Sequence, residues 1–332
     1  MKIGFCCKFM KEDLTSPKEM NSTTTTATFL KKLSRKEKEI KLTEIIEHNL
    51  SYLDNITEYL SKEEEILRMF RISSDIFPLY THEVAKSFWR GKDTQKKLQE
   101  SLQKIGQKAR ERNIRLSFHP GQFTVLNSET ARVVKNSIEE LEYHTDIARF
   151  LGYGNKKNDK GFAINIHTGS RAGGLSNFRN NFKKLSKEAK NLLTVENDEF
   201  SFGLDEVLKL ADIVAIVLDI HHHWINTGEY LQSDDPRLKK ISQSWKNSRP
   251  KIHYSHTPLN LFEKKPKGLL NFSTLEKNGY KKASLRRHSD LYWNSKANEW
   301  ALSFLNFADI QCEAKYKNLA AKKLFLEYKK KK

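Results

Sequence analysis

Ile213-Val214-Ala215-Ile216-Val217-Leu218-Asp219 is an unbroken apolar run closed by a carboxylate. A strand with one wet face alternates apolar and polar residues. A short continuous run suits a strand covered on both faces, as in a parallel sheet. The same form recurs outward in both directions, at Lys2–Phe9, Met69–Ser74, Ile114–Phe118, Ala163–His167, Leu192–Glu196, Lys251–Ser255 and Ala308–Glu313, making eight runs in all.

Helical patterns separate them. Leu42, Ile46, Leu50, Leu53 and Leu60 recur at steps of three to four or multiples of them, one apolar stripe among Lys and Glu. Similar stripes cover Leu98–Ala109, Val133–Leu151, Phe178–Leu192 and Leu204–Leu210. Eight strands with helices between them predict an α/β chain folded as a (β/α)8 TIM barrel rather than an open sheet. The 332 residues suffice for it, since such a barrel takes about 250 plus insertions. Residues 15–34, rich in Ser and Thr, read as an inserted first βα loop. Residues 257–290, with Pro258, Pro266, Gly268, Gly279 and many lysines, read as an insertion after strand seven. The barrel is expected to form one domain over residues 1–320, leaving 321–332 as a basic C-terminal tail whose Lys329–Lys332 run is solvated.

The formal net charge is +18, from 59 Lys+Arg against 41 Asp+Glu. Such an excess points to a polyanion, a nucleic acid or an anionic surface. No apolar stretch reaches the roughly 18 residues of a membrane span, and Met1–Phe5 lacks the apolar core of a signal peptide. Three cysteines (Cys6, Cys7, Cys312) without CxxC spacing fit a reducing cytoplasm and argue against a thiolate zinc site.

The chemistry lies at the strand ends. The third run closes with His119, the fourth with His167, the fifth with Glu196 and the eighth with Glu313. The sixth delivers Asp219 and then His222, and the seventh carries Lys251 and His253. One strand-end histidine is more often a hydrogen-bonded structural residue. Six of eight strands placing imidazoles or carboxylates at the C-terminal rim, where barrel active sites are assembled, is different. Crowded together and unpaired, such groups are costly to desolvate, and divalent cations remove that cost. Mixed imidazole and carboxylate donors suit zinc, manganese or iron. Lys251 beside cations is expected to be neutral or chemically modified. The sequence alone does not choose among His221, His222 and His223 and leaves His256 unassigned; His48 and His144, inside helical patterns, read as ordinary surface residues.

In this order, FHPGQF, NIHTGS, VENDE, LDIHHH, KIHYSH and HSD resemble the UV-damage endonuclease family, a barrel relative of endonuclease IV, over about residues 2–315. The resemblance implies a cluster of up to three divalent ions, usually Mn2+, with Zn2+ or Mg2+ as alternatives. One ion takes His119, His167, Glu196 and Glu313. A second shares the two glutamates and adds Asp219 and His253. The third uses His222, favoured by an Asp-x-x-His spacing, and His288. The resemblance also makes His82 an active-site histidine, Lys251 carboxylated, and Gln122-Phe123 a pair that probes DNA beside the lesion. Phe123 stands where the family has Tyr, keeping a stacking face but losing a hydroxyl. Phe5 and Phe9 depart from the family's Tyr and Asn, which puts lesion contacts there in doubt; Phe5 is carried as a candidate DNA contact, with Arg286 and Arg287. Arg171 and the lysines of 264–282 are further candidates to follow the backbone. The expected catalytic set is His82, Lys251, Glu196 and Glu313. The expected partner is double-stranded DNA bearing UV lesions, cut by a cytoplasmic monomer on the 5′ side of cyclobutane dimers and (6-4) photoproducts to leave a 3′-hydroxyl and a 5′-phosphate. The rivals are an abasic-site endonuclease of the endonuclease IV kind, a metal-dependent sugar isomerase and a damaged-DNA-binding module that does not cut.

Overall fold

A computed structural model describes residues 1–246 and 248–331. Its strands are β1 (Ile3–Cys6), β2 (Met69–Arg71), β3 (Arg115–Phe118), β4 (Ala163–His167), β5 (Leu193–Glu196), β6 (Ala215–Asp219), β7 (Lys251–Tyr254) and β8 (Asp309–Cys312). Each pairs in parallel with the next, and β8 closes on β1. This is the expected TIM barrel, a sheet without edges. β4 coincides with its run, and the other seven strands are shorter than theirs. β1 stops where Cys7 turns to φ 63°, and β2 gives way to a 3-10 turn at Ser74–Ile76. At Gly4 a Cβ would lie 2.6 Å from the Met69 carbonyl oxygen, so this strand contact requires glycine.

The longest helix, Arg35–Lys62, starts at a capping box in which Ser34 Oγ accepts from Glu37 N–H and Glu37 accepts from Ser34 N–H. Its expected stripe, Leu42 to Leu60, is buried against the sheet. Phe178–Leu192 is not one helix but two, Gly174–Phe182 and Lys187–Leu192, because Ser186 caps the second by accepting from Ala189 N–H. Leu204–Leu210 is a single α turn, Leu204–Val207, run on as a 3-10 turn.

Both insertions hold structure of their own. The first contains the short helix Ala27–Lys31, and its Asn21 side chain both donates to and accepts from the Phe9 backbone. The second contains the helices Phe272–Lys277 and Lys282–Leu285, packed with Trp224 and Ile225 into a satellite apolar cluster. The expected tail from 321 is corrected. Helix Lys317–Lys329 runs straight through that position and packs on β1, because Ala320, Ala321, Leu324 and Phe325 form its buried face. It is the barrel's last helix; Lys332 lies outside the described residues.

The N-terminal end of the barrel is closed by ion pairs on Asp309. Asp309 accepts from Lys2 N–H at 2.8 Å and pairs with Arg115 at 2.7 Å and Arg249 at 2.9 Å. No described helix is long and apolar enough to cross a membrane.

His144 corrects another expectation, since it is fully buried between Phe118 and Tyr143 rather than on the surface. Burial depresses its pKa from 6.5 to about 4. The fold therefore favours neutral imidazole, and stability is fully present above pH 6.5 and is lost as the pH falls toward 4. Urea unfolding followed between these limits should show stability dropping on acidification, with a shallower drop for His144→Phe. An unchanged slope in that variant would remove His144 as a source of acid sensitivity.

Candidate metal centre

Parallel strands deliver their C-terminal ends to one mouth, and the barrel's register does the rest. His167 is the direct neighbour of Glu196, and Asp219 of His253. Glu196 Oε1 lies 2.8 Å from both His119 Nε2 and His167 Nε2. Its Oε2 lies 2.6 Å from His253 Nδ1, which is 3.5 Å from Glu313 Oε1. Three sets of donor atoms each fall within 4.8 Å of one another: His119, Glu196 and His253; His167, Glu196 and His222; Asp219, His253 and Glu313. The third set is three-quarters of the expected second ion's ligands. The first two differ from expectation by pairing His119 with His253 and His167 with His222. His288 joins none of these sets; its Nε2 is 3.9 Å from Glu313 Oε2 and its Nδ1 is 2.8 Å from the Glu313 carbonyl oxygen.

Among the three consecutive histidines the fold turns His222 to the cluster. Asp219 caps helix Ile220–Thr227 by accepting, through Oδ1, from His221 and His222 N–H. His221 instead stacks on Trp224, and His223 Nε2 lies 3.5 Å from Glu229. His256 is buried against Trp293. His48 Nε2 is half-buried against the Asn21 carbonyl oxygen at 2.9 Å.

The donor set fits a divalent cation. Buried Asp219 Oδ2, Glu196 Oε2 and both His253 ring nitrogens have no hydrogen-bond partner among the described residues. Glu196 Oε2 and His253 Nδ1 approach closely yet are not aligned for a hydrogen bond. Burial and the nearby Glu313 and Glu196 push Asp219 up to about 7, against the pull of His222. Burial alone would raise Glu196, but His167, His253 and His119 outweigh it and hold the carboxyl well below the usual range. His222 is pulled up to about 9, since Asp219, Glu199 and Glu196 overcome its burial. Burial brings His253 down to about 4.

Lys251 sits fully buried, its Nζ without a hydrogen-bond partner among the described residues. Burial first, then Arg115 and Arg71, lower its pKa to about 7. His82 is not brought to the cluster. It is exposed in a turn, Nδ1 accepting from Val84 N–H, and lines a side cavity with Ser74, Lys86 and Phe123. Gln122 lines the cluster's own cavity, and Phe123 is 82% exposed at the loop tip between the two. Phe5 cannot face DNA, being 3% exposed and packed on Phe70 at 5.0 Å, where its apolar ring is more stable between sheet and helices. Phe9 packs edge-on against Tyr59. Arg286 and Arg287 both line the cavity wall, Arg286 already paired with Glu199, while Arg171 is paired with Glu206.

Sequence reading missed Arg71, Asp198 and Glu199. Asp198 Oδ2 lies 3.4 Å from His167 Nδ1, and Glu199 Oε2 lies 3.6 Å from His222 Nε2, so each adds a carboxylate beside one of the clustered imidazoles. The signal was the acidic pair Asp198-Glu199, one residue beyond Asn197 after the strand-end Glu196. Arg71 pairs with Glu313 inside the mouth. Its signal was a cation within the otherwise apolar run Met69-Phe70-Arg71-Ile72. Arg71→Met strands a buried carboxylate, so in chelator it should cost about 3 kcal/mol of stability. Divalent ions should recover part of that loss in thermal melts. A variant as stable as wild type in chelator would show that the pair does not balance this charge.

Among known proteins, the UV-endonuclease UvdE family matches residues 1–331. The UV DNA damage endonuclease of Bacillus cereus (strain G9842) is 34% identical over 240 residues, 70% of this chain and 71% of that one. That of Clostridium perfringens (strain 13 / Type A) is 33% identical over 275 residues, 80% of this chain and 60% of its own. The crystal structure of SacUVDE superposes with a TM-score of 0.74 at 28% identity, covering 100% of this chain and 99% of that one. A match that runs from the first strand to the last helix, through each strand end that feeds the cluster, makes this chain a member of the UV-endonuclease UvdE family.

Proposed function

We propose that this chain is a metal-dependent DNA repair endonuclease that hydrolyses the phosphodiester on the 5′ side of UV photoproducts, leaving a 3′-hydroxyl and a 5′-phosphate. The observation that carries this reading is three overlapping ligand sets sharing Glu196, His253 and their neighbours at the mouth of a barrel of this family. His119, His167, Glu196, Asp219, His222, His253, His288 and Glu313 would hold up to three divalent ions, taken as Mn2+ from the resemblance, with Zn2+ or Mg2+ as alternatives. When bound, such ions neutralise charge building on the phosphate and make a water easier to deprotonate.

The chain's own groups have separate tasks. Glu196 and Glu313 stay anionic at neutral pH and keep the ligand sets together. Asp198 and Glu199 hold His167 and His222 in orientation. Arg287 and Gln122, on the cavity wall, meet the entering backbone and the base step. Phe123, exposed at its loop tip, supplies an aromatic face that stacks without sequence preference. A photoproduct is already partly unstacked, so moving it out of the helix costs less than moving normal bases. The +18 net charge makes binding salt-sensitive.

Lys251 is read as a carbamate: its neutral amine adds CO2 and releases a proton, turning a buried would-be cation into an anion beside the ligands. Intact mass under gentle, non-acidic conditions should show about 44 Da added to the unmodified chain, absent in Lys251→Met; the adduct is the mass of CO2 bound at an amine activated by burial. The bare mass in both would overturn it.

A nicking assay tests the main reading. With Mn2+, the protein should cut a duplex holding one thymine dimer in preference to one holding an abasic analogue. Glu196→Gln should lose activity by roughly a hundredfold or more, since even outer-shell changes at such sites cost 10–100-fold. Preference for the abasic duplex would transfer the chain to endonuclease IV-like activity, and full nicking by Glu196→Gln would sink the proposed centre.

A further inference from the structure

Phe200 lies four residues past Glu196 and is 50% exposed on a polar rim. Its exposure is not that of a loose loop. The Asp198 carboxylate accepts from Phe200 N–H at 2.7 Å and Ser201 N–H at 2.6 Å, and Asp198 N–H donates to the Phe202 carbonyl at 2.8 Å. Asp198, Glu199 and Ser201 all line the cluster's cavity, so the ring stands at its lip. From the insertion after β7, Arg286 lies over the ring at 5.0 Å. Its guanidinium is fixed by Glu199, which is 6% exposed and whose other oxygen is 3.6 Å from His222 Nε2.

A ring backed by a cation and pinned by backbone hydrogen bonds is pre-organised to receive another flat group. Beside a cavity built for a phosphodiester, that group is a base. We propose that Phe200, backed by Arg286, is a stacking platform for a nucleobase of the strand whose phosphate enters the cavity; this rests on the endonuclease reading above. Phe123 stands on the β3 loop, two strands earlier around the rim, so the two rings engage different parts of the nucleic acid. Glu199 ties the platform to His222, which fixes the stacked base relative to the ligand sets. The favoured chemistry is aromatic stacking with a cation behind it.

The test uses the full chain in chelator, so that nothing is cut, and a duplex carrying one thymine dimer with 2-aminopurine beside it. Binding is read by anisotropy and stacking by quenching of the 2-aminopurine. Wild type should favour the dimer duplex and quench the probe. Phe200→Leu keeps apolar bulk but loses the aromatic face; it should bind about tenfold more weakly and quench less. That loss should be the same at about 50 and 200 mM salt, because stacking releases no counterions. Phe200→Trp should retain both signals, and thermal melts confirm that each variant folds. If Phe200→Leu binds and quenches as wild type does, the platform is wrong while the endonuclease reading stands. If wild type itself shows no preference for the dimer duplex in chelator and does not nick it with Mn2+, that reading falls and the platform falls with it.

Discussion

The carboxylate of Glu196 is 1% exposed and has imidazoles from three other strands against its two oxygens, while among the described residues no lysine or arginine pairs with it. A buried charge must be balanced, and how it is balanced decides what a site can do. The barrel shows both solutions. At its N-terminal end Asp309 is saturated by Arg115 and Arg249, permanent cations that leave no room for exchange. At its C-terminal end balance is left to imidazoles and to Arg71 on Glu313, with carboxylate and ring nitrogens unspent. One end is shut by its own ion pairs, and the other keeps a donor set that fits a cation.

Sequence reading reached the barrel because the strands are buried on both faces and several, β6 above all, stand out as apolar runs spaced by helical stripes. It overran the ends at β1 and β2, where backbone turns at Cys7 and Ser74 carry no hydropathy signal. It reached the cluster because parallel strands in one closed sheet must present their C-terminal residues together. It did not reach which donors lie nearest one another: His119 faces His253 across Glu196 through the barrel's three-dimensional register, which spacing along the chain does not encode. Phe5 and His144 were misplaced for a related reason: each lies on a mixed stretch where residue type alone does not say which face is covered. Arg71, Asp198 and Glu199 escaped because charged residues near strand ends are common, and only their neighbours across the mouth give them a role.

The rim around the cluster is divided by the HPGQF loop. Gly121 lines both the central cavity and the side cavity that holds His82, with Gln122 toward the first and Phe123 toward the second. A duplex laid over this mouth meets a ridge with a polar shoulder and an aromatic crest. Histidine-rich ligand sets and solvent-facing aromatics thus come from successive loops of the same scaffold, an arrangement in which rigid strands position the chemistry and loops choose the substrate.

Helix Ile220–Thr227 faces two ways at once. His222 belongs to the ligand sets, and two residues on, Trp224 anchors the satellite cluster of the lysine-bearing insertion. That insertion therefore cannot be exchanged as a simple cassette. A graft from a relative that repacks around Trp224 would rotate the short helix and drag an imidazole away from its partners, so swapped versions must bring residues 220–227 with them to preserve the geometry at the mouth.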